Sequence, residues 1–173
     1  WDLLSKVITN SNQFAEILSK IPSEYNKLRL IKRFRVQNLM NLIHNATDLW
    51  ILLSWLYKDT QKEFIDFLWH ENIKKIFLST HELIIILYYL NWDNKDYLMD
   101  ILWLSNIKNK IKTYQNFLVL FKSLSFNYSK KMLKLYTKDE VLKLFRTDED
   151  FNDFLLKLPT DREKLFLKFI WLS

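Results

Sequence analysis

The sequence predicts an all-α protein, a right-handed α-solenoid of five stacked two- to three-helix repeats, on three observations. Apolar positions return every 34 or 35 residues in several registers at once, helix-capping residues keep the same interval, and the 173-residue chain contains no glycine. A β-rich fold needs glycine in its hairpin turns and bulges, so its absence favours helices joined by short polar connections. With 49% of residues apolar and 16% aromatic, the chain has the means to bury a core rather than remain disordered.

Ile8, Ile43, Phe77, Ile111 and Phe145 form one column, at spacings of 35, 34, 34 and 34. Leu4, Leu39, Ile73, Ile107 and Val141 keep those spacings, as do Phe14, Leu49, Leu83, Phe117 and Phe151. Two more columns are Leu18, Leu53, Leu87, Phe121, Leu155 and Ile21, Leu56, Leu90, Leu124, Leu158. One such column arises by chance in a leucine-rich chain; five in one register make a repeat. The chain then reads as a single helical-repeat domain over 1–173, with repeats near 1–34, 35–69, 70–103, 104–136 and 137–173. A unit this small cannot shelter its own apolar stripe, so neighbours must stack.

The elements follow from the polar residues between the columns. Asn10, Asn45, Ser79, Thr113 and Thr147 share one register, and all are helix N-cap types, so a helix starts in the middle of every repeat. Pro22 closes that helix in the first repeat. In the second, Thr60 followed by Glu63 has capping-box spacing and marks a further helix; in the third, Ser79 and Glu82 have it too. The fifth repeat gives three helices: about Lys138–Phe145 after the Thr137–Glu140 box, Asp148–Leu158 after Thr147, and Asp161–Trp171 after Pro159 and the Thr160–Glu163 box. Phe151, Phe154, Leu155 and Leu158 form the apolar stripe of the middle one. Leu102-Trp103-Leu104-Ser105 and Ile170-Trp171-Leu172-Ser173 share a phase, so the chain, starting at Trp1, is expected to be a fragment of a longer array.

The chemistry of catalysis finds little purchase. There is no cysteine for a thiolate nucleophile or zinc ligand, and no glycine for a phosphate loop. His70-Glu71 is followed by Lys74, and His81-Glu82 by Ile85, where a metalloprotease helix needs a second histidine. The acidic run Asp148, Glu149, Asp150 sits in a first helical turn, where carboxylates complement the helix dipole; Asp153 follows it. No enzyme activity, cofactor or metal is expected. The longest apolar run, Leu83 to Leu90, falls short of the ~20 residues a spanning helix needs, and no signal peptide is present, so a cytoplasmic location is expected.

Binding residues are sought in the columns that vary. Lysine, asparagine and isoleucine use AT-rich codons, so their abundance says less than the seven tryptophans do. Phe34, Trp69, Trp103 and Trp171 share a register at the end of the third helix and are expected to pack between repeats. Trp50, Trp55, Tyr89 and Trp92 instead lie in columns of mixed character, as exposed positions do; they are the candidate partner-binding residues, because Trp and Tyr are favoured interface anchors. Residues 104–136 carry seven lysines and no acid, a net +7 within a chain whose total is +6. Lys108, Lys112, Lys130, Lys131 and Lys134 are candidate anion-binding residues there, with Lys108–Lys112 and Lys130–Lys134 each spaced to share a helix face. Arg33 and Arg35 are candidates from a second basic group that also contains Lys27, Arg29 and Lys32. A protein or peptide partner is the first expectation. Nucleic acid held by the basic fourth repeat is the second, and an anionic membrane surface the third.

Asp48-Leu49-x-x-Leu52-Leu53-x-x-Leu56 and Leu158-Pro159-x-x-Arg162 resemble leucine-rich helical repeats of large secreted effectors from intracellular bacteria. The resemblance covers the whole chain. It implies an interaction scaffold working in the cytoplasm of a host cell, and it carries over no site residues. The period is also that of tetratricopeptide and TAL-effector repeats, but the small residues of the former and the repeat motif of the latter are absent: the chain has two alanines, Ala15 and Ala46.

Overall fold

A side-chain oxygen that accepts an N–H from three residues onward satisfies one of the orphan donors at a helix start. The chain does this at five evenly spaced places. Asn10, Asn45, Ser79, Thr113 and Thr147 accept from the backbone of Gln13, Asp48, Glu82, Asn116 and Asp150 at 2.9–3.3 Å. The structure is a computed structural model; it describes residues 2–77, 79–102 and 107–172, the side chains of Asp2, Leu3, Ser5, Trp92 and Leu172 excepted.

Three helices occupy each of the first three intervals. They are α1 (Asp2–Val7), α2 (Ser11–Ser19) and α3 (Glu24–Phe34), then α4 (Val36–Met40), α5 (Ala46–Leu53) and α6 (Lys58–Phe67). Next come α7 (His70–Ile76), α8 (Thr80–Tyr89) and α9 (Trp92–Leu102). Beyond them lie α10 (Tyr114–Ser123), α11 (Phe126–Leu133), α12 (Lys138–Leu142), α13 (Asp148–Leu156) and α14 (Thr160–Leu172). No strand occurs among the described residues. Pro22 and Pro159 follow α2 and α13, where a residue without an N–H cannot continue the helix.

The chain divides into two compact units, Trp1–Asn94 and Lys95–Ser173. In the first, α2 packs on α5 and α5 on α8, while α3 packs on α6. In the second, α10 packs on α13 and α11 on α14. Helices of the same kind from consecutive intervals therefore lie against each other, a stacked packing. The apolar columns supply the contact: Phe14, Leu18, Leu49, Leu53, Leu83 and Leu87 are buried in the first unit, Phe117, Phe121, Leu124 and Val141 in the second. Leu4, Ile21, Phe145, Phe151 and Leu155 are only half-buried; all belong to the first or last interval. In the second unit Phe117, Phe121, Phe154 and Phe166 form a cluster with centroids 4.7–6.5 Å apart.

Three expectations are corrected. The aromatic register at the end of the third helix does not pack between repeats, for Trp69 is 69% and Trp171 73% exposed, against 2% for Phe34. For Trp69 the 35-residue spacing of the first interval is the reason: Trp69 takes the place of Arg35, one residue past the helix, and Leu68 takes that of buried Phe34; Trp171 is exposed within α14. Trp103 lies outside the described residues. Second, Thr60 is buried inside α6 and Thr160 is the first residue of α14, so neither is an N-cap; the Thr137–Glu140 box does form. Third, the last repeat's helices differ at their ends, the first stopping at Leu142 rather than Phe145.

Arg35 and Trp69 carry φ of 69° and 65° with ψ of 149° and 137°. That region is almost a glycine preserve, and each non-glycine held there costs about 1–3 kcal/mol. A chain without glycine has nothing less strained to put at these two joints.

Candidate functional site

Two of the candidate residues, Trp50 on α5 and Tyr89 on α8, meet in the structure. Their rings stack with centroids 4.6 Å apart and 9° between planes. Tyr88 abuts Tyr89 edge-on at 5.0 Å. With Thr47, Ile84 and Ile85 these rings line a groove of about 340 Å³. The packing of α5 on α8 positions them, since the buried faces leave the rings on the outside. Tyr89 is 49% exposed despite its stack.

Trp55 is 46% exposed but makes no ring contact among the described residues, so it stands apart from the pair. The side chain of Trp92 lies outside the described residues. Tyr88 was legible yet passed over: its register reads Ser19, Ser54, Tyr88, Lys122, Leu156, a run no buried position would accept.

The basic candidates separate into buried or half-buried anchors and exposed side chains. Lys108 donates to the carbonyl of Leu135 at 2.7 Å and to both oxygens of Glu140 at 2.8 Å, with its ammonium 5.0 Å from the Tyr136 ring centroid. It thus ties the start of the second unit's stack to the loop before α12. It shares no helix face with Lys112, because the chain leaves helix after Lys108 and Lys112 is an exposed connection residue. Lys27, from the first basic group, is buried; it donates to Glu24 and to the carbonyl of Trp55 at 2.6 Å. Arg33 and Arg35 are exposed, and Arg35 lines a separate groove of about 620 Å³ with Lys32 and Trp69. Lys131 lies over the Tyr128 ring at 4.1 Å.

A set of buried polar residues escaped the sequence reading. Gln61 donates to the carbonyls of Leu53 and Leu56, Ser129 to that of Phe121, and Arg162 to that of Leu124 at 2.9 Å. Asn94 links to Gln61 at 2.8 Å and to the carbonyl of Lys58. All lie near the start of a third-type helix; Gln61, Ser129 and Arg162 satisfy carbonyls around the end of a middle one, which would otherwise be buried without donors, while Asn94 holds the Gln61 amide and the start of α6. One polar residue recurring near the start of successive amphipathic helices was the available signal.

Lys130 and Lys134 have a different setting. With Lys164 and Lys168 they border a groove of about 660 Å³ between α11 and α14, floored by apolar side chains. The two lysines of α14 were not singled out in the sequence, although each lies 34 residues after its counterpart on α11.

Electrostatics around these surfaces is local. The hydrogen bond from Lys108, then that from the Thr137 N–H, holds the Glu140 carboxyl below its ordinary value despite some opposing desolvation. Burial works against the Glu24 charge, but Lys27, the Tyr57 N–H and Thr60 together lower it as well. Burial pushes the Tyr136 phenol well up, reinforced by Glu140, and the hydroxyls of Tyr128 and Tyr136 are buried without hydrogen-bond partners. In the acidic run, Asp150 accepts the Arg146 N–H, and Asp153 is paired with Lys157 and accepts the Tyr114 hydroxyl. Among the described residues no three His, Asp or Glu side chains converge as a metal site would need, and no helix is long and apolar enough to cross a membrane. Comparison with protein-family models, curated proteins and solved structures brings no match.

Proposed function

We propose that the stacking seen inside each unit continues along the chain as a right-handed α-solenoid of two- to three-helix repeats, and that this non-catalytic array binds a protein or peptide partner. One observation carries the reading: a stack of half-buried Trp50 on exposed Tyr89, with exposed Tyr88 against it, spans two neighbouring helices and borders a groove. Stacked aromatic pairs are rigid, large in area and low in conformational entropy, the properties of an interface anchor. Nothing in the fold of Trp1–Asn94 requires three such rings outside its core. The basic residues favour nucleic acid less than their number suggests, because Lys27 and Lys108 spend their donors on backbone carbonyls and carboxylates.

Two experiments test the parts separately. Small-angle scattering should give a radius of gyration well above the roughly 16 Å of a compact globule of this length; a value near that figure refutes the array. Panning a random peptide library on the full chain should enrich sequences that Trp50→Ala and Tyr89→Ala no longer retain. Enrichment of the same peptides by wild type and both variants refutes the aromatic site.

A further inference from the structure

The groove between α11 and α14 is built from positions one period apart. Lys130 and Lys164 are 34 residues apart, as are Lys134 and Lys168, so each helix contributes a lysine pair at i, i+4. The members of a pair sit about 6 Å apart along their helix axis. All four are exposed, and none enters an ion pair among the described residues. Phe126, Leu133, Leu165 and Phe169 supply the apolar part of the groove's lining. The one carboxylate on the lining, Asp161, is bound by Arg162, whose guanidinium also lies 5.2 Å from the Phe126 ring centroid.

We propose that this groove binds an acidic amphipathic helix of a partner protein, its apolar stripe on the floor and its carboxylates, at i, i+4 along both flanks, facing the lysine rails. Each alternative occupant leaves part of the site unused. A nucleic acid backbone would answer the lysines and leave the apolar floor in water. A fatty acid brings one carboxylate to four ammoniums. A bilayer is flat where this floor is recessed. A helix in a groove supplies both an apolar stripe and charge at one-turn intervals. The site lies wholly within Lys95–Ser173 and is independent of the aromatic groove of the other unit.

The test uses the full chain and a fluorescein-labelled peptide of about 18 residues, five helical turns, with a leucine stripe flanked by glutamates at i, i+4. Anisotropy should show saturable binding at least about tenfold tighter than for a scrambled peptide of equal composition. Reversing one lysine on each rail, Lys130→Glu with Lys168→Glu, should weaken that peptide about tenfold or more and create binding for a lysine-flanked version. Circular dichroism should be unchanged, both positions being exposed. Equal binding of the scrambled peptide, indifference to charge reversal, or displacement of the peptide by oligothymidine or by phosphatidylserine vesicles overturns the proposal. Trp50→Ala should leave this affinity intact, so the outcome is read separately from that of the aromatic groove.

Discussion

In Trp1–Asn94 the core is chiefly leucine and isoleucine, and the ring contacts outside it involve Trp50, Tyr88 and Tyr89 on the surface. In Lys95–Ser173 most ring contacts lie inside, although Phe126 and Trp171 remain exposed. Phe117, Phe121, Phe145, Phe154 and Phe166 touch one another, and the surface between α11 and α14 carries lysine. The same registers serve both: Leu49 and Leu83 become Phe117, and Leu53 and Leu87 become Phe121. Stacked helices thus accept either aliphatic or aromatic filling at their fixed columns. What distinguishes the two units chemically lies in the columns that vary, where nothing is asked by the packing.

The largest expected effect tests that division directly. Phe154→Ala empties a fully buried position touching four other rings, and should cost about 3–5 kcal/mol in denaturant unfolding. Amide exchange should quicken within 107–172 far more than within 2–77; equal acceleration in both would show that the units share one cooperative core. By contrast Tyr88→Ala, at a solvent-facing ring, should stay within about 0.5 kcal/mol.

Next come the anchors. Arg162→Ala strands the Leu124 carbonyl in the second unit, and Lys27→Ala the Trp55 carbonyl in the first, each at about 1–3 kcal/mol by thermal or denaturant melts. A loss confined to Arg162 would mean that only the aromatic unit depends on its polar seam. Glycine at Arg35 or Trp69 should act the other way, raising stability by about 1 kcal/mol through relief of a left-handed backbone, although glycine elsewhere in a helical chain weakens it. No gain at either joint would remove the strain argument.

Smallest is the response to acid. Glu24 and Glu140 are both held below the ordinary carboxyl value of 4.5 in the fold, so the stability they add is complete above that pH and disappears as pH falls through their lowered values. The denaturation midpoint should therefore be flat from neutrality down to about pH 5 and decline below it. Glu24→Gln and Glu140→Gln should each flatten the decline, a contribution from one carboxyl in either unit.

The sequence made the caps and the buried columns legible because both obey a period that side-chain chemistry alone reveals: an oxygen at Asn10 or Thr147, an apolar group at Phe14 or Phe117. It misplaced Trp69 because the single extra residue of the first interval makes Phe34 and Arg35 equally plausible counterparts, and only backbone geometry separates them. The Trp50–Tyr89 stack was foreseen as exposure rather than as contact, since two rings 39 positions apart meet only once the helices are laid side by side. Lys108 and Lys27 were misjudged for a related reason. Charge counted along a chain does not tell an ammonium in solvent from one folded onto a carbonyl.

The carboxylates at the starts of the middle helices have a consequence for how such a chain can change over evolutionary time. Glu82 accepts the Ala46 N–H at 2.6 Å and Asp48 accepts the Ser11 hydroxyl at 2.7 Å, so the starts of α2 and α5 each lean on an oxygen supplied about one period later. A duplication or deletion of one whole period joins donor to acceptor again without further mutation. One of any other length leaves a stranded group at the seam. Genes encoding such chains should accordingly gain and lose sequence in whole periods, with the tolerated joints falling at this hand-off.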